Sequence, residues 1–161
     1  MPTIEYPIRE MRLFHKEALR QLELLGKGLE RFRVDGKRDF LTLSMDGFFL
    51  FAKNDLAVHI RDEEGAMFPI LRRYTKLVDK LLGDHDYIDA SVKLLETLRG
   101  MKKANDSEID KKIKEVIQTF RDHIWKEENV IFKVAEERLT EEQISEIAER
   151  MALFRGGKEA G

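Results

Sequence analysis

One ten-residue pattern occurs twice in this chain, and it constrains the fold more than any other feature. Residues 59–68 and 123–132 both read His-Ile-x-x-Glu-Glu-x-x-x-Phe. Upstream of each copy lies a segment of helical periodicity that carries one further histidine, His15 before the first copy and His85 before the second. The chain therefore reads as two copies of a helix pair.

Apolar residues recur at steps of three and four along four segments, which is the pattern of helices that face a common core. We expect these helices at about residues 7–33, 39–73, 75–99 and 107–138. Thr140 and Gln143 form a capping-box pattern, which predicts a short fifth helix at about 141–154 across one end of the bundle. The predicted fold is all-α, an up-down-up-down four-helix bundle with a short C-terminal fifth helix.

Several breaks between these helices are marked in the sequence. Pro69 should kink or end the second helix, because its ring conflicts with the carbonyl of Gly65, and we expect the break within a few residues of Arg73. The polar stretches 34–38 and 102–106 are expected loops, and the last residues from 156 onward are expected to form a frayed tail.

Composition limits the classes of function. With 161 residues, 42% of them hydrophobic and 37% charged, we expect one stand-alone domain over 1–161. The formal net charge of −2 gives no general attraction for nucleic acid or an anionic membrane. Cysteine is absent, so a metal site must use imidazole and carboxylate ligands. No secretory signal or membrane-spanning run is evident, which predicts a soluble cytoplasmic protein.

The histidines and the motif glutamates have the chemistry of a metal site. A histidine and a glutamate four residues apart share one face of a helix, so each motif can direct both side chains to one region. Together with the two upstream histidines they provide four imidazoles and two carboxylates, which suffices for two metal ions. The candidate metal ligands are His15, His59, Glu63, His85, His123 and Glu127.

Ligand type suggests how these residues divide between two ions. A carboxylate has two oxygens and can bridge, so Glu63 and Glu127 are the candidate bridges. His15 and His59 would then hold one ion, and His85 with His123 the other. Nitrogen and oxygen ligands without thiolate suit iron or manganese, and iron is favoured.

The alternative is that the histidines are packed in the core without metal. A single histidine on an apolar helix face is more often a hydrogen-bonded core residue than a ligand. Here all four histidines fall on such faces of four different helices, and burying them with two carboxylates and no metal would be costly. Metal binding is therefore favoured. Glu64 and Glu128 are expected to be solvated or to support a ligand, and Asp86 and Asp89 are weaker candidates for orienting histidines.

These features resemble the hemerythrin-like family, also called the HHE cation-binding domain. The resemblance extends from His15 to the fifth helix and rests on the two motifs, on Pro69 after the first, and on the two upstream histidines. It implies a centre of two iron ions with an oxo or hydroxo bridge, with the four histidines as terminal ligands and the two motif glutamates as bridging ligands. It also implies binding or sensing of dioxygen, a related diatomic such as nitric oxide, or iron.

One departure from that family weakens the simplest function. Oxygen-carrying members have another histidine four residues after the ligand of the third helix, and here that position is Asp89. Either Asp89 or a water would have to replace that imidazole. A binding or sensing protein is favoured, with an unidentified redox partner. The alternatives are a di-iron oxidoreductase or nitric-oxide-detoxifying protein, and a metal-free helical interaction module.

Overall fold

The computed structural model describes residues 5–101 and 106–156, and all regular structure in these ranges is helical. The described ranges contain five helices: α1 (Glu5–Asp35), α2 (39–71), α3 (Leu77–Gly100), α4 (106–138) and α5 (Glu141–Phe154). The predicted all-α class is therefore confirmed. Among the described helices, none is both long and apolar enough to cross a bilayer.

The helices α2 and α4 contain π-turns, in which one extra residue is accommodated within a continuous helix. The π-turns span Ala52–Leu56 and Glu63–Met67 in α2, and Glu127–Ile131 in α4. The residues that flank each π-turn keep right-handed helical backbone angles, so neither helix is interrupted. The last two π-turns begin at equivalent residues of the two motifs, so the repeat seen in the sequence is also present in the backbone.

The break after Pro69 occurs where α2 ends at Leu71, and residues 72–74 form a turn before α3. Pro69 has no amide hydrogen, and the carbonyl of Gly65 instead accepts a hydrogen bond from Arg150 Nη1 at 3.4 Å. The capping box of Thr140 and Gln143 is present at the start of α5. Of the predicted loop at 102–106, residues 102–105 lie outside the described residues and Asp106 begins α4. Of the predicted tail from 156, the residues from 157 onward also lie outside them.

The buried apolar side chains form two separate clusters along the bundle. One lies between the middle and C-terminal part of α1, the first half of α2, the second half of α3 and the first half of α4, and includes Leu22, Phe48, Leu95 and Val116. The other joins the opposite ends of these helices to α5 and includes Met11, Met67, Leu81, Phe132 and Met151. All six candidate ligands belong to helix segments between the two clusters.

Candidate metal centre

The structure brings the six candidate ligands together in the interior as two adjoining groups. Site A consists of His15, His59 and Glu127, and site B consists of Glu63, His85 and His123. Within each site the three ligand atoms lie within 4.8 Å of one another, and all six residues are at most 5% exposed. The histidines pair as the sequence suggested, whereas each glutamate belongs to the site of the opposite motif's histidine.

The two glutamates lie between the sites. Glu63 Oε1 is 2.6 Å from His59 Nε2 of site A and 3.3 Å from His85 Nε2 of site B. Glu127 Oε1 is 2.7 Å from His123 Nε2 of site B and 3.4 Å from His15 Nε2 of site A. Each carboxylate therefore approaches imidazole nitrogens of both sites, which is the placement that a bridging ligand requires.

The inward-facing polar atoms lack well-formed hydrogen bonds. These buried atoms are close to one another, but none has a hydrogen-bond partner of suitable geometry; they are Nε2 of His15, His59, His85 and His123 and both carboxylate oxygens of Glu63 and Glu127. Nearly all buried polar atoms in native proteins have such partners. Eight unpartnered atoms that converge on one interior region fit a site that holds metal ions.

The electrostatics of the metal-free site are dominated by imidazole and carboxylate neighbours. Burial opposes protonation of His59, but the carboxylates of Glu63 and Glu127 outweigh it and raise the pKa of His59 to about 9. Burial likewise opposes ionisation of Glu127, but His123 outweighs it and holds the pKa of Glu127 well below its ordinary value. The site therefore keeps the carboxylate of Glu127 ionised, and an ionised carboxylate attracts cations.

Carboxylates outside the two sites contact the outer nitrogens of the site B histidines. His85 Nδ1 lies 2.7 Å from Glu64 Oε2, and His123 Nδ1 lies 3.2 Å from Asp84 Oδ2. A carboxylate accepts hydrogen bonds, so these contacts place the proton on Nδ1 and leave Nε2 free to bind a metal. Asp84 was not predicted from the sequence, because its contact with His123 joins two helices.

The two aspartates that the sequence suggested as supporting groups lie elsewhere. Asp86 is exposed. The Asp89 side chain is 62% exposed and pairs with Lys93 at 2.9 Å. Asp89 thus occupies the position of the additional histidine in the sequence but does not reach the ligand groups.

Phenylalanine rings cover the histidines. Phe68 stacks on His85 and Phe132 stacks on His15, each with ring centroids 5.7 Å apart. Both phenylalanines end the repeated motif, and the π-turn places them, since the amide of each bonds to the carbonyl of the motif glutamate five residues earlier. The spacing that the two motif copies share thereby positions a ligand and the ring that shields a neighbouring imidazole.

A cavity of about 330 Å³ reaches site A from the protein surface. His59 and Phe14 contribute to its wall, and their rings stack with centroids 3.8 Å apart. Asp62 and Arg155 also line it and are paired at 2.8 Å. His59 is the only one of the six candidate ligands that lines this cavity.

Comparison with known families identifies the fold and its type of site. Residues 6–135 match the family described as the hemerythrin HHE cation binding domain. The chain belongs to this family. Membership of this HHE family makes the chain a cation-binding domain, in agreement with two clusters of histidine and glutamate that are able to hold metal. A search of curated proteins finds no match.

Proposed function

We propose that this HHE domain binds two iron ions, one at site A and one at site B, with Glu63 and Glu127 as bridging ligands. The observation that carries the proposal is the position of the two carboxylates, each within 3.4 Å of imidazole nitrogens from both sites. The four histidines would be terminal ligands through Nε2. An oxo or hydroxo bridge between the ions is part of the same proposal.

Iron is the proposed metal because the donor set combines imidazole nitrogen with carboxylate oxygen. When bound, a pair of iron ions would supply a position for dioxygen or a related diatomic ligand, and both metals would share the electrons exchanged with that ligand. The protein's contribution is to orient the imidazoles and to exclude water. Phe68 and Phe132 are almost fully buried against His85 and His15, and they perform the second of these tasks.

Iron content measured by elemental analysis after anaerobic reconstitution tests this proposal. We expect two iron ions per chain. Glu63→Ala should reduce this content because it removes a ligand shared by both sites. Asp89→Ala is the matched control, and it should keep two ions because Asp89 pairs with Lys93 on the surface. Less than one ion per chain in the unaltered protein would refute the proposal and favour a metal-free interaction module.

A di-iron oxidoreductase, or a protein that removes nitric oxide, is the second candidate. The cavity beside His59 favours it, because 330 Å³ accommodates more than a diatomic ligand. Stopped-flow absorbance of the reduced protein mixed with oxygen distinguishes the two functions. A stable and reversible spectrum supports a binding or sensing protein, whereas rapid irreversible oxidation or turnover supports an enzyme.

The finer architecture is proposed on the basis of helix contacts. Helix α1 packs against α2 and α4, and α3 packs against α4 and α2. The links at 36–38 and 72–76 are short, and short links make consecutive helices antiparallel neighbours. We infer an up-down-up-down bundle within one domain, and a cytoplasmic location remains an expectation from the sequence.

A further inference from the structure

We propose that site B takes up the first metal ion and that site A fills second. This inference rests on the proposed two-metal function and concerns the order in which its sites fill. The direct ligands give no reason for an order, because each site has two imidazoles and one glutamate. The difference lies in the residues that support the imidazoles.

The first difference concerns the second glutamate of each motif. Glu64 Oε2 lies 2.7 Å from Nδ1 of His85. Its counterpart Glu128 has its Oε2 3.7 Å from Nδ1 of His15, which is too far for a hydrogen bond, and His15 Nδ1 has no partner. Glu128 is instead engaged by Arg12 Nε at 3.3 Å.

A change between the two repeat copies explains this difference. Arg12 precedes His15 by three residues, and the residue three before His85 is Leu82. The second copy thus has no guanidinium at the equivalent position. Glu64 is therefore left to support its histidine, whereas the guanidinium of Arg12 engages Glu128.

The second difference concerns the residue just before each upstream histidine. Asp84 precedes His85 and lies 3.2 Å from Nδ1 of His123. The equivalent residue before His15 is Phe14, which stacks on His59 and offers no hydrogen-bond acceptor. Lys126 lies 3.2 Å from the same oxygen of Asp84 and fixes that carboxylate. Both histidines of site B therefore have a carboxylate within 3.2 Å of Nδ1. The contacts described for site A include no carboxylate at hydrogen-bond distance from Nδ1 of His15 or His59.

Such outer partners affect metal affinity directly. A carboxylate on Nδ1 fixes the tautomer and orientation of the ring and makes Nε2 more basic, and losing one typically weakens metal binding about 10- to 100-fold. Glu64 and Asp84 are therefore positioning residues for site B. Site A also borders the cavity at His59. Site B is the anchored position, and site A is the one that fills second.

Anaerobic titration with Co²⁺, followed by visible absorbance and calorimetry, tests the order. The unaltered chain should bind two ions in two steps, the first tighter. His15→Ala should retain the tight step and lose the weak one, and His123→Ala should lose the tight step. Two equal steps, or a tight step that survives in His123→Ala but not in His15→Ala, would overturn the inference. Failure of the unaltered chain to bind Co²⁺ in the titration, or iron after anaerobic reconstitution, would instead refute the proposed two-metal function.

The repeat also provides a matched pair of variants for the positioning role. Glu64 and Glu128 occupy equivalent positions and have side chains that are 40% and 32% exposed, so both tolerate alanine similarly. Glu64→Ala should weaken the tight Co²⁺ step about 10- to 100-fold. Glu128→Ala should leave that step unchanged. Circular dichroism checks that both variants fold, and equal effects of the two substitutions on the tight step would contradict the proposed asymmetry.

Discussion

His59 links metal binding to pH, because a metal competes with the proton on its ring. Its pKa of about 9 in the metal-free site, raised by Glu63 and Glu127 against the effect of burial, means that the imidazole is protonated at neutral pH. A metal binds only the neutral ring. We therefore expect proton release on metal binding at pH 7, and an affinity that increases with pH until it passes about 9.

Calorimetry of Mn²⁺ binding in buffers with different ionisation enthalpies measures this release. At pH 7 the observed enthalpy should vary with the buffer and correspond to at least about one proton per chain. Measurements at about pH 9 to 10 should show a smaller release, because His59 is then largely neutral. An enthalpy that is independent of the buffer at pH 7 would contradict the assignment of a proton to His59.

At this scale the sequence predicts ligand types better than it predicts their supporting residues. Two motifs with histidine and glutamate four residues apart suffice to place four side chains on interior helix faces, because residues four apart lie on the same face of a single helix. Asp84 contacts His123 across two helices, and no local spacing encodes such a contact. Asp86 and Asp89 were suggested by proximity in sequence, but they lie on the exposed face of the same helix.

At the scale of the helices, α1 packs tightly against α2 at Gly28. A Cβ at this position would lie 2.8 Å from Ser44 Oγ and 3.1 Å from Leu41 Cα. The backbone of α2 cannot move aside without disturbing the adjoining core. Gly83 in α3 offers the opposite case, because a Cβ there would meet nothing within 4 Å.

These two glycines predict opposite effects of alanine on stability. Gly83→Ala should increase the free energy of unfolding by about 0.5–1 kcal/mol, since alanine has a higher helix propensity than glycine at an exposed helix position. Gly28→Ala should lower it by about 0.5–2 kcal/mol, since an overpacking cost of about 1–3 kcal/mol outweighs the gain in helix propensity. Urea unfolding of the metal-free variants measures both changes. An increase in stability for Gly28→Ala would show that the helices separate easily at this point.

The π-turns are the part of the helices that periodicity did not predict. Apolar steps of three or four residues fit a regular helix. One extra residue in a turn rotates the later residues around the helix axis, but the apolar residues can still be read as steps of three and four. The repeated interval from Glu63 to Phe68 and from Glu127 to Phe132 is the trace of these turns in the sequence. One sequence alone gave no reason to assign that interval to a hydrogen bond between residues five apart.

For the whole molecule, the candidate metal centre lies between two clusters of buried apolar side chains. Without metal, the bundle buries eight ligand atoms that lack suitable hydrogen bonds, and this costs free energy. Metal bound only by the folded chain adds stability by mass action, about 2.7 kcal/mol at a concentration 100 times Kd.

Metal removal should therefore lower the melting temperature. For a domain of this size we expect a decrease on the order of 5–10 °C when a chelator removes metal present at 100 times Kd. Differential scanning calorimetry of the loaded and metal-free protein measures the shift. The variant Asp89→Ala should show the same shift as the unaltered chain, because its side chain lies outside the centre. An equal melting temperature with and without metal would contradict a link between the centre and the fold.

The fold class was predictable because four amphipathic segments with short links have few ways to bury their apolar faces. The division of the core into two clusters was harder to foresee, since it depends on all four histidines lying at one level of the bundle. That level is set by the lengths of the links and by the packing of α5 against α1 and α2.

The polar layer between the clusters also limits how the helices can slide. A slip of one turn would displace a helix by about 5.4 Å and carry its histidine into a neighbouring apolar cluster. Leucine or phenylalanine side chains of the shifted helix would then lie opposite the buried carboxylates. In an entirely apolar interior the same shift would cost less free energy. The same residues that attract a cation thus specify the axial register of the four helices. They favour one alignment over other alignments that would bury a similar amount of apolar surface.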